Sequence, residues 1–128
     1  MRDYYTGFLH AHKFGAKKYD CVWITWVLMY LSDSEIFTLF TRIRAALRED
    51  LAAPGEGRHS GLLFVRENVR AEEEKDPLDP DGSVMRTEAE FRALFQSVGF
   101  EIVSTQEVTV DTILHQKVVQ YVIRNPFV

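Results

Sequence analysis

The feature that most constrains the fold is an apolar run that leads directly into a helix start. Residues 21–28 read CVWITWVL, which is rich in β-branched and aromatic residues and shows almost no alternation of polar and apolar positions. Such a run is typical of a strand buried on both faces, and these strands occur mainly in parallel sheets covered by helices. We therefore predict a buried strand here, with Cys21 and Trp23 in the core.

A helix is predicted to follow this strand. Ser32 and Glu35 have the spacing of a capping box, in which each side chain satisfies an amide of the first turn. The apolar residues that follow fall on one helical face, which we expect to pack on the sheet: Ile36, Leu39, Phe40, Ile43 and Leu47. The turn residues 54–57 are expected to end the helix, and residues 61–65 predict a second, doubly buried strand. A strand, a helix and a strand in this order predict parallel pairing, so the predicted fold class is α/β.

The second half of the chain predicts a loop, a helix and a hairpin. Residues 66–86 carry charges, two prolines and a glycine without an apolar period, which indicates a long and functional or disordered loop. Thr87 and Glu90 repeat the capping-box spacing before an amphipathic helix that ends near Gly99. Residues 100–110 and 117–123 predict an antiparallel hairpin at a sheet edge. Beyond one short strand around residues 4–9, the sheet is expected to be open on the side of the first strand.

Composition limits the class of protein. The 128 residues, 46% of them hydrophobic and 27% charged, suit one domain, or part of one, with a real core. A net charge of −4 with scattered basic residues argues against nucleic-acid binding. The single cysteine excludes an internal disulfide, and His10 and His12 are two donors where a metal site needs four. The longest nearly uncharged run, residues 21–31, is shorter than the ~20 residues that span a bilayer, so we expect an intracellular protein without a membrane segment.

Three stretches, in order, resemble the protein α-N-terminal methyltransferases, which are class I S-adenosylmethionine-dependent enzymes. They are residues 19–33 (YDCVWITWVLMYLSD), residues 64–68 (FVREN) and residues 78–87 (LDPDGSVMRT). The resemblance covers only the C-terminal half of that enzyme domain. It implies the C-terminal half of a Rossmann-like class I methyltransferase fold, with parallel strands, a crossover helix and an antiparallel C-terminal hairpin. Residues 1–128 are then a single partial methyltransferase domain, and the glycine-rich loop and most of the cofactor site are expected upstream of Met1.

The resemblance also implies an activity: methylation of the α-amino group of proteins that begin Xaa-Pro-Lys/Arg, with S-adenosylmethionine as the cofactor. It places Asn68 and Asp81 where the family holds or deprotonates the incoming amine. An α-amino group has a pKa of ~7.7–8.0, so a nearby carboxylate is base enough for this step. From the residues alone, the favoured interpretation of Asn68 is a strand-end cap and that of Asp81 a turn residue before Gly82.

Further site residues follow from the same resemblance. The cofactor positions are Leu9, His10 and Thr25, and the substrate positions are Trp26, Tyr30, Asp79 and Gln116. Asp79 would pair with the basic third residue of the substrate, and Trp26 would stack on its proline. Read without the resemblance, Trp26 is equally a core tryptophan of a buried strand.

Two other interpretations remain open. The chain is alternatively a non-catalytic interaction module, or a subunit that pairs its open sheet edge with another chain or copy, because an exposed edge strand offers unpaired backbone groups. A truncated gene product is the third reading. For the enzyme, the family's substrates favour the cytoplasm, the nucleus or both.

Overall fold

The computed structural model describes residues 19–48, 61–71, 84–108 and 117–125. Their elements are β1 (Cys21–Thr25), a short 3-10 helix (Leu28–Tyr30), α1 (Asp33–Ala46), β2 (Leu62–Val69), α2 (Glu88–Ser97), β3 (Glu101–Val108) and β4 (Lys117–Arg124). The four strands form one sheet in the order β1-β2-β4-β3. β1 and β2 are parallel, whereas β4 is antiparallel to both β2 and β3. The α/β class and the C-terminal hairpin at a sheet edge are therefore confirmed.

Both predicted capping boxes are present. The Ser32 hydroxyl accepts the Glu35 N–H, and the Glu35 carboxylate accepts the Ser32 N–H, so α1 begins where the sequence predicts. Thr87 and Glu90 make the same reciprocal pair at the start of α2. Each box satisfies amides that a helix start otherwise leaves without a partner.

Both helices pack on one face of the sheet. The apolar stripe of α1 is buried against inward-facing residues of β1, β2 and β4, and α2 adds an aromatic group at the centre of this core. Phe95 of α2 lies 5.4 Å from Phe40 and 5.1 Å from Tyr121, measured between ring centroids. Such pairs add directional contacts to apolar burial.

The opposite face of the sheet corrects one prediction. Cys21 and Trp23 are exposed, and Trp23 is 59% exposed although it stacks on Phe64 at 4.2 Å. The two parallel strands are therefore not doubly buried among the described residues, and β2 alternates between half-buried and buried positions. The physical reason is that α1 and α2 lie on the same side, so that neither covers the face on which Trp23 lies.

The bounds of three elements also differ from the prediction. α1 ends at Ala46 rather than near residues 54–57, because Leu47 and Arg48 pair with the backbone of Tyr19 instead of continuing the helix. β2 continues through Val69, since β4 pairs with it over its full length. β1 stops at Thr25. Residues 4–9, 54–57 and the turn between β3 and β4 lie outside the described residues, as does most of the predicted loop.

The C-terminal end of α2 follows the predicted chemistry. Gly99 has a φ of +81°, a left-handed conformation that favours glycine after a helix. A Cβ at this position would lie 2.6 Å from Nη1 of Arg44. The glycine therefore allows the helix stop, and the guanidinium end of Arg44 packs close against it.

Candidate active site

The candidate site lies where the parallel strands β1 and β2 end. The carboxyl ends of parallel strands meet at one edge of a sheet, which is the usual place for ligands in open α/β folds. Residues 26–31, here called the β1 turn, leave this edge. Trp26 begins the turn with a φ of +52°, a left-handed conformation that is strained by about 1–3 kcal/mol in a bulky residue. Its N–H still donates to the carbonyl of Arg66, at 3.0 Å.

The turn brings two predicted site residues into contact. The indole Nε1 of Trp26 donates to Oδ1 of Asn68 at 3.2 Å, across 42 residues of sequence. An indole N–H is only a donor, so the Asn68 amide nitrogen must point away from the ring. Trp26 is 39% exposed and is therefore not a core tryptophan.

Glu67 holds the same turn from the other face of β2. It is only 1% exposed, and its Oε1 accepts the N–H groups of Val27 at 2.8 Å and Leu28 at 2.9 Å. Burial raises the pKa of Glu67, while the two N–H groups and the charge of Arg86 act in the opposite direction. A buried carboxylate is tolerated here because backbone donors and a nearby cation replace water.

Arg86 fixes the far end of the β1 turn. It is 2% exposed and donates to the carbonyls of Leu28 at 2.9 Å and Leu31 at 2.8 Å. Its Nη2 lies 2.9 Å from the carboxylate of Asp33, in the first turn of α1. The buried guanidinium of Arg86, which lies just before α2, therefore links the β1 turn to the start of α1.

The backbone between β2 and α2 also reaches this turn. Val84 donates its N–H to the carbonyl of Met29 at 2.7 Å, and Arg70 donates to the carbonyl of Arg86 at 2.8 Å. Val84 follows Asp81 by three residues in the sequence. The chain thus re-enters the described structure at Val84, beside the β1 turn.

The other predicted site residues divide into two groups. Thr25 and Tyr30 lie on the exposed surface before and within the β1 turn, and Tyr30 is 64% exposed. The remaining predicted site residues lie outside the described residues: Leu9, His10, Asp79, Asp81 and Gln116. The structure thus brings Trp26 and Asn68 together, and Thr25 directly precedes Trp26 in the chain. The roles assigned to all of these residues stay predictions.

Sequence reasoning missed the two residues that organise the site. Glu67 and Arg86 both lie in the matched stretches, yet neither was given a role. The available signal was a carboxylate directly after the apolar run 61–65, and an arginine directly before a capping box. Neither signal shows which backbone groups the charge meets, because those contacts span 39 to 58 residues of sequence.

The described residues contain neither a candidate cluster of metal ligands nor a candidate membrane-spanning helix. No group of three His, Cys, Asp or Glu side chains that could hold a metal occurs within residues 19–48, 61–71, 84–108 and 117–125. No helix in the same ranges is long and apolar enough to cross a bilayer. The intracellular location predicted from the sequence stays a prediction.

Comparison with solved structures defines the class of fold. A solved SAM-dependent methyltransferase from Leishmania major superposes with a TM-score of 0.70 at 19% sequence identity, over 92% of this chain and 43% of that one. The described sheet and its two helices therefore belong to a Rossmann-like class I methyltransferase fold.

Sequence comparison then gives the family. The family model described as AdoMet dependent proline di-methyltransferase matches residues 1–120. An α-N-terminal protein methyltransferase 1 from Drosophila melanogaster is 32% identical over 68% of this chain and 28% of its own length. An N-terminal Xaa-Pro-Lys N-methyltransferase 1 from Rattus norvegicus is 27% identical over 90% of this chain and 48% of its own length. The chain belongs to the AdoMet-dependent proline di-methyltransferase family and spans less than half of these relatives, which confirms the predicted resemblance.

Proposed function

We propose that this protein transfers a methyl group from S-adenosylmethionine to the α-amino group of a protein that begins Xaa-Pro-Lys/Arg. The observation that carries the proposal is the contact between Trp26 and Asn68 at the shared carboxyl edge of β1 and β2. It sets the exposed ring of Trp26, which can contact a proline, beside the amide of Asn68, which can hydrogen-bond an α-amino group. The names of the relatives supply the reaction class.

The chemistry needs a neutral amine held in line with the methyl donor. An amide oxygen can accept two donors, so Oδ1 of Asn68 can accept both the Trp26 indole and a substrate N–H. The proton leaves the α-ammonium group before attack, and a carboxylate base is suited to accept it. We assign that base to Asp81, three residues before the backbone contact between Val84 and Met29.

The cofactor would meet the edge of the sheet at Thr25. Its hydroxyl is exposed at the end of β1 and makes no side-chain hydrogen bond to another residue in the described part of the chain. An exposed hydroxyl next to Trp26 suits the polar ends of S-adenosylmethionine, which supplies the methyl group when bound. Leu9 and His10 are proposed to complete this contact.

Substrate recognition is assigned to side chains on the turn and in the acidic stretch. The Trp26 ring offers a flat face for proline, and the exposed Tyr30 lies four residues further along. Asp79 would pair with the lysine or arginine at the third position of the substrate. Gln116 is proposed as a further substrate contact.

Calorimetry and a methyl-transfer assay test this proposal together. Binding of S-adenosylmethionine or S-adenosylhomocysteine by this chain more tightly than about 10 μM, or roughly −7 kcal/mol, would show that the chain assembles a complete cofactor site, by pairing with a second copy. We expect methylation of a Ser-Pro-Lys peptide and none of its N-acetylated form. Asn68→Ala should lower turnover on the order of 100-fold. Gln96→Ala, on the exposed side of α2, is the control and should leave turnover unchanged.

Two results would contradict the proposal for this chain. One is the absence of cofactor binding by a sample with the far-UV circular dichroism of a folded α/β protein. The other is full turnover by Asn68→Ala. Transfer to the acetylated peptide would instead show that the acceptor is not the α-amino group.

A second proposal concerns the edge of the sheet. β1 is the outermost strand of the described sheet, and the side chain of Trp23, in the middle of β1, is exposed. We propose that this edge pairs with a strand of a second copy of the chain, because open edges attract further strands. Size-exclusion chromatography with light scattering should then give twice the 14.8 kDa mass. A monomer at every concentration tested would exclude this self-association.

A further inference from the structure

The buried carboxylate of Glu67 is the group around which the β1 turn is built. Three successive N–H groups point from the turn to β2: that of Trp26 reaches the Arg66 carbonyl, and those of Val27 and Leu28 reach Oε1 of Glu67. Successive N–H groups in a turn that combines left- and right-handed residues form a concave anion site. Trp26 is the left-handed residue, and Val27 follows with a φ of −122° and a ψ of −35°.

This arrangement explains how a bulky residue keeps a left-handed conformation. Relaxing Trp26 to an ordinary backbone conformation would swing the N–H groups of Val27 and Leu28 away from Glu67. The carboxylate would then be buried without its two donors, which is unfavourable. The strain at Trp26 and the burial of Glu67 therefore offset each other.

Glu67 and Asn68 act on the same tryptophan from opposite faces of the sheet. Successive residues of a strand point to opposite faces, so Glu67 faces the helices while Asn68 faces away from them. Glu67 fixes the backbone after Trp26, and Asn68 accepts from its ring. Together these contacts set both the position and the direction of the indole.

We propose that Glu67 is a positioning residue, whose carboxylate holds the backbone after Trp26 so that the indole faces Asn68 and the exposed edge of the sheet. Glu67 itself is buried, so it is not placed to contact a peptide or a cofactor. Arg86 supports it by binding the carbonyls of Leu28 and Leu31 at the far side of the same turn. The consequence for peptide binding rests on the proposed function, whereas the contact with the turn does not.

The test measures the fluorescence and the near-UV circular dichroism of Trp26 itself. The chain has two tryptophans, so Trp23→Phe leaves Trp26 as the single one, and a phenylalanine can keep the stack on Phe64. In this background, Glu67→Leu keeps an apolar bulk but removes both hydrogen bonds to the turn. We expect increased acrylamide quenching, a shifted emission maximum and a loss of near-UV circular dichroism from Trp26.

Conservative variants separate positioning from simple stability. Both bonds go to one oxygen, so the amide oxygen of Glu67→Gln can replace it, and this variant should restore most of the Trp26 signal. Glu67→Asp keeps the charge but is one methylene shorter, and should behave like Glu67→Leu. Val69→Ala, two residues along on the same buried face, is the control: it should lower stability and leave the Trp26 signal unchanged.

The outcomes distinguish the inference from the proposed function. An unchanged Trp26 signal in Glu67→Asp or in a folded Glu67→Leu would overturn the positioning role, whatever the activity. If the Ser-Pro-Lys peptide binds the parent chain, Glu67→Leu should raise its Kd on the order of tenfold. A Trp26 signal that responds as expected in a chain that binds no peptide would uphold the positioning role and contradict the proposed function.

Discussion

The two faces of the sheet are organised differently. The face under α1 and α2 is closed: its side chains come from six elements and form one buried cluster. The other face carries the exposed Trp23 and Thr25 and the half-buried Asn68. The two faces meet at Glu67 and Asn68, which are adjacent in sequence and point in opposite directions.

One strand can therefore contribute to stability with one face and to recognition with the other. Residues on the closed face are fixed by packing, so a change there alters the free energy of unfolding. Residues on the other face are not packed against a helix, so a change there can alter binding with little change in the free energy of unfolding. Glu67 is the exception, because it lies on the closed face and acts on Trp26 at the boundary.

The largest expected effect contrasts one aromatic residue from each face. Phe95→Ala removes a fully buried ring that contacts Phe40 and Tyr121, and should lower the free energy of unfolding by about 3–5 kcal/mol. Trp23→Ala removes an exposed ring stacked on Phe64 and should lower it by less than about 1.5 kcal/mol. Urea unfolding followed by far-UV circular dichroism measures both. Equal losses in the free energy of unfolding would show that the two faces contribute to stability in the same way, contrary to this prediction.

The next effect tests Arg86, the buried cation that binds the β1 turn. Arg86→Leu removes hydrogen bonds to the carbonyls of Leu28 and Leu31, and we expect a loss of about 2–3 kcal/mol in thermal or urea unfolding. Arg92→Leu, on α2, loses only an exposed bond to Thr105 and is expected to change stability by less than about 1 kcal/mol. If the two variants were equally stable, Arg86 would not be holding the turn.

Local spacing was enough to predict much of the closed face. The boxes at Ser32 and Thr87 are contacts within three residues, so the sequence alone specifies where the helices begin. The apolar stripe of α1 and the parallel order of strand, helix and strand follow from periodicity in the same way. These predictions are confirmed because the interactions behind them are local.

The exposed face of the sheet and the contacts within the site could not be predicted from local spacing. An apolar run such as CVWITWVL shows that a strand forms, but not which of its faces a helix covers, so Trp23 was wrongly assigned to the core. The length of β2 depends on pairing with β4, whose residues lie 48 to 62 positions later in the chain than their partners. The backbone that follows Trp26 is bound by Glu67, 40 residues beyond Val27. The resemblance placed Trp26 and Asn68 in one site, but not the contact between them.

A smaller effect measures how much the caps contribute to the closed face. Ser32→Ala and Thr87→Ala each remove one side-chain cap, and each should lower the free energy of unfolding by about 1 kcal/mol. Ser97→Ala, near the end of α2, removes a hydroxyl that only donates to the Leu94 carbonyl and should have less effect. A cap variant with unchanged stability in urea unfolding would show that packing alone fixes that helix start.

The smallest expected effect is a pH dependence that belongs to Glu67 alone. Burial raises the pKa of Glu67 in the folded chain above its value in the unfolded chain. Between these two pKa values the folded state binds more protons, so the free energy of unfolding falls as the pH rises through that window. Glu67→Gln cannot titrate, so the stability of the parent relative to this variant should decrease from about pH 4 upward and then level off above the folded pKa.

The matched control for this dependence is Val69→Ala, which changes a buried residue on the same face without adding or removing a titrating group. Its stability difference from the parent should stay constant over the same pH range, even though its size is larger. If the parent instead gained stability over Glu67→Gln as the pH rose, the N–H groups of the β1 turn and the charge of Arg86 would outweigh burial. The turn would then favour an ionised Glu67, and the closed face would hold Trp26 more firmly at neutral pH than in acid.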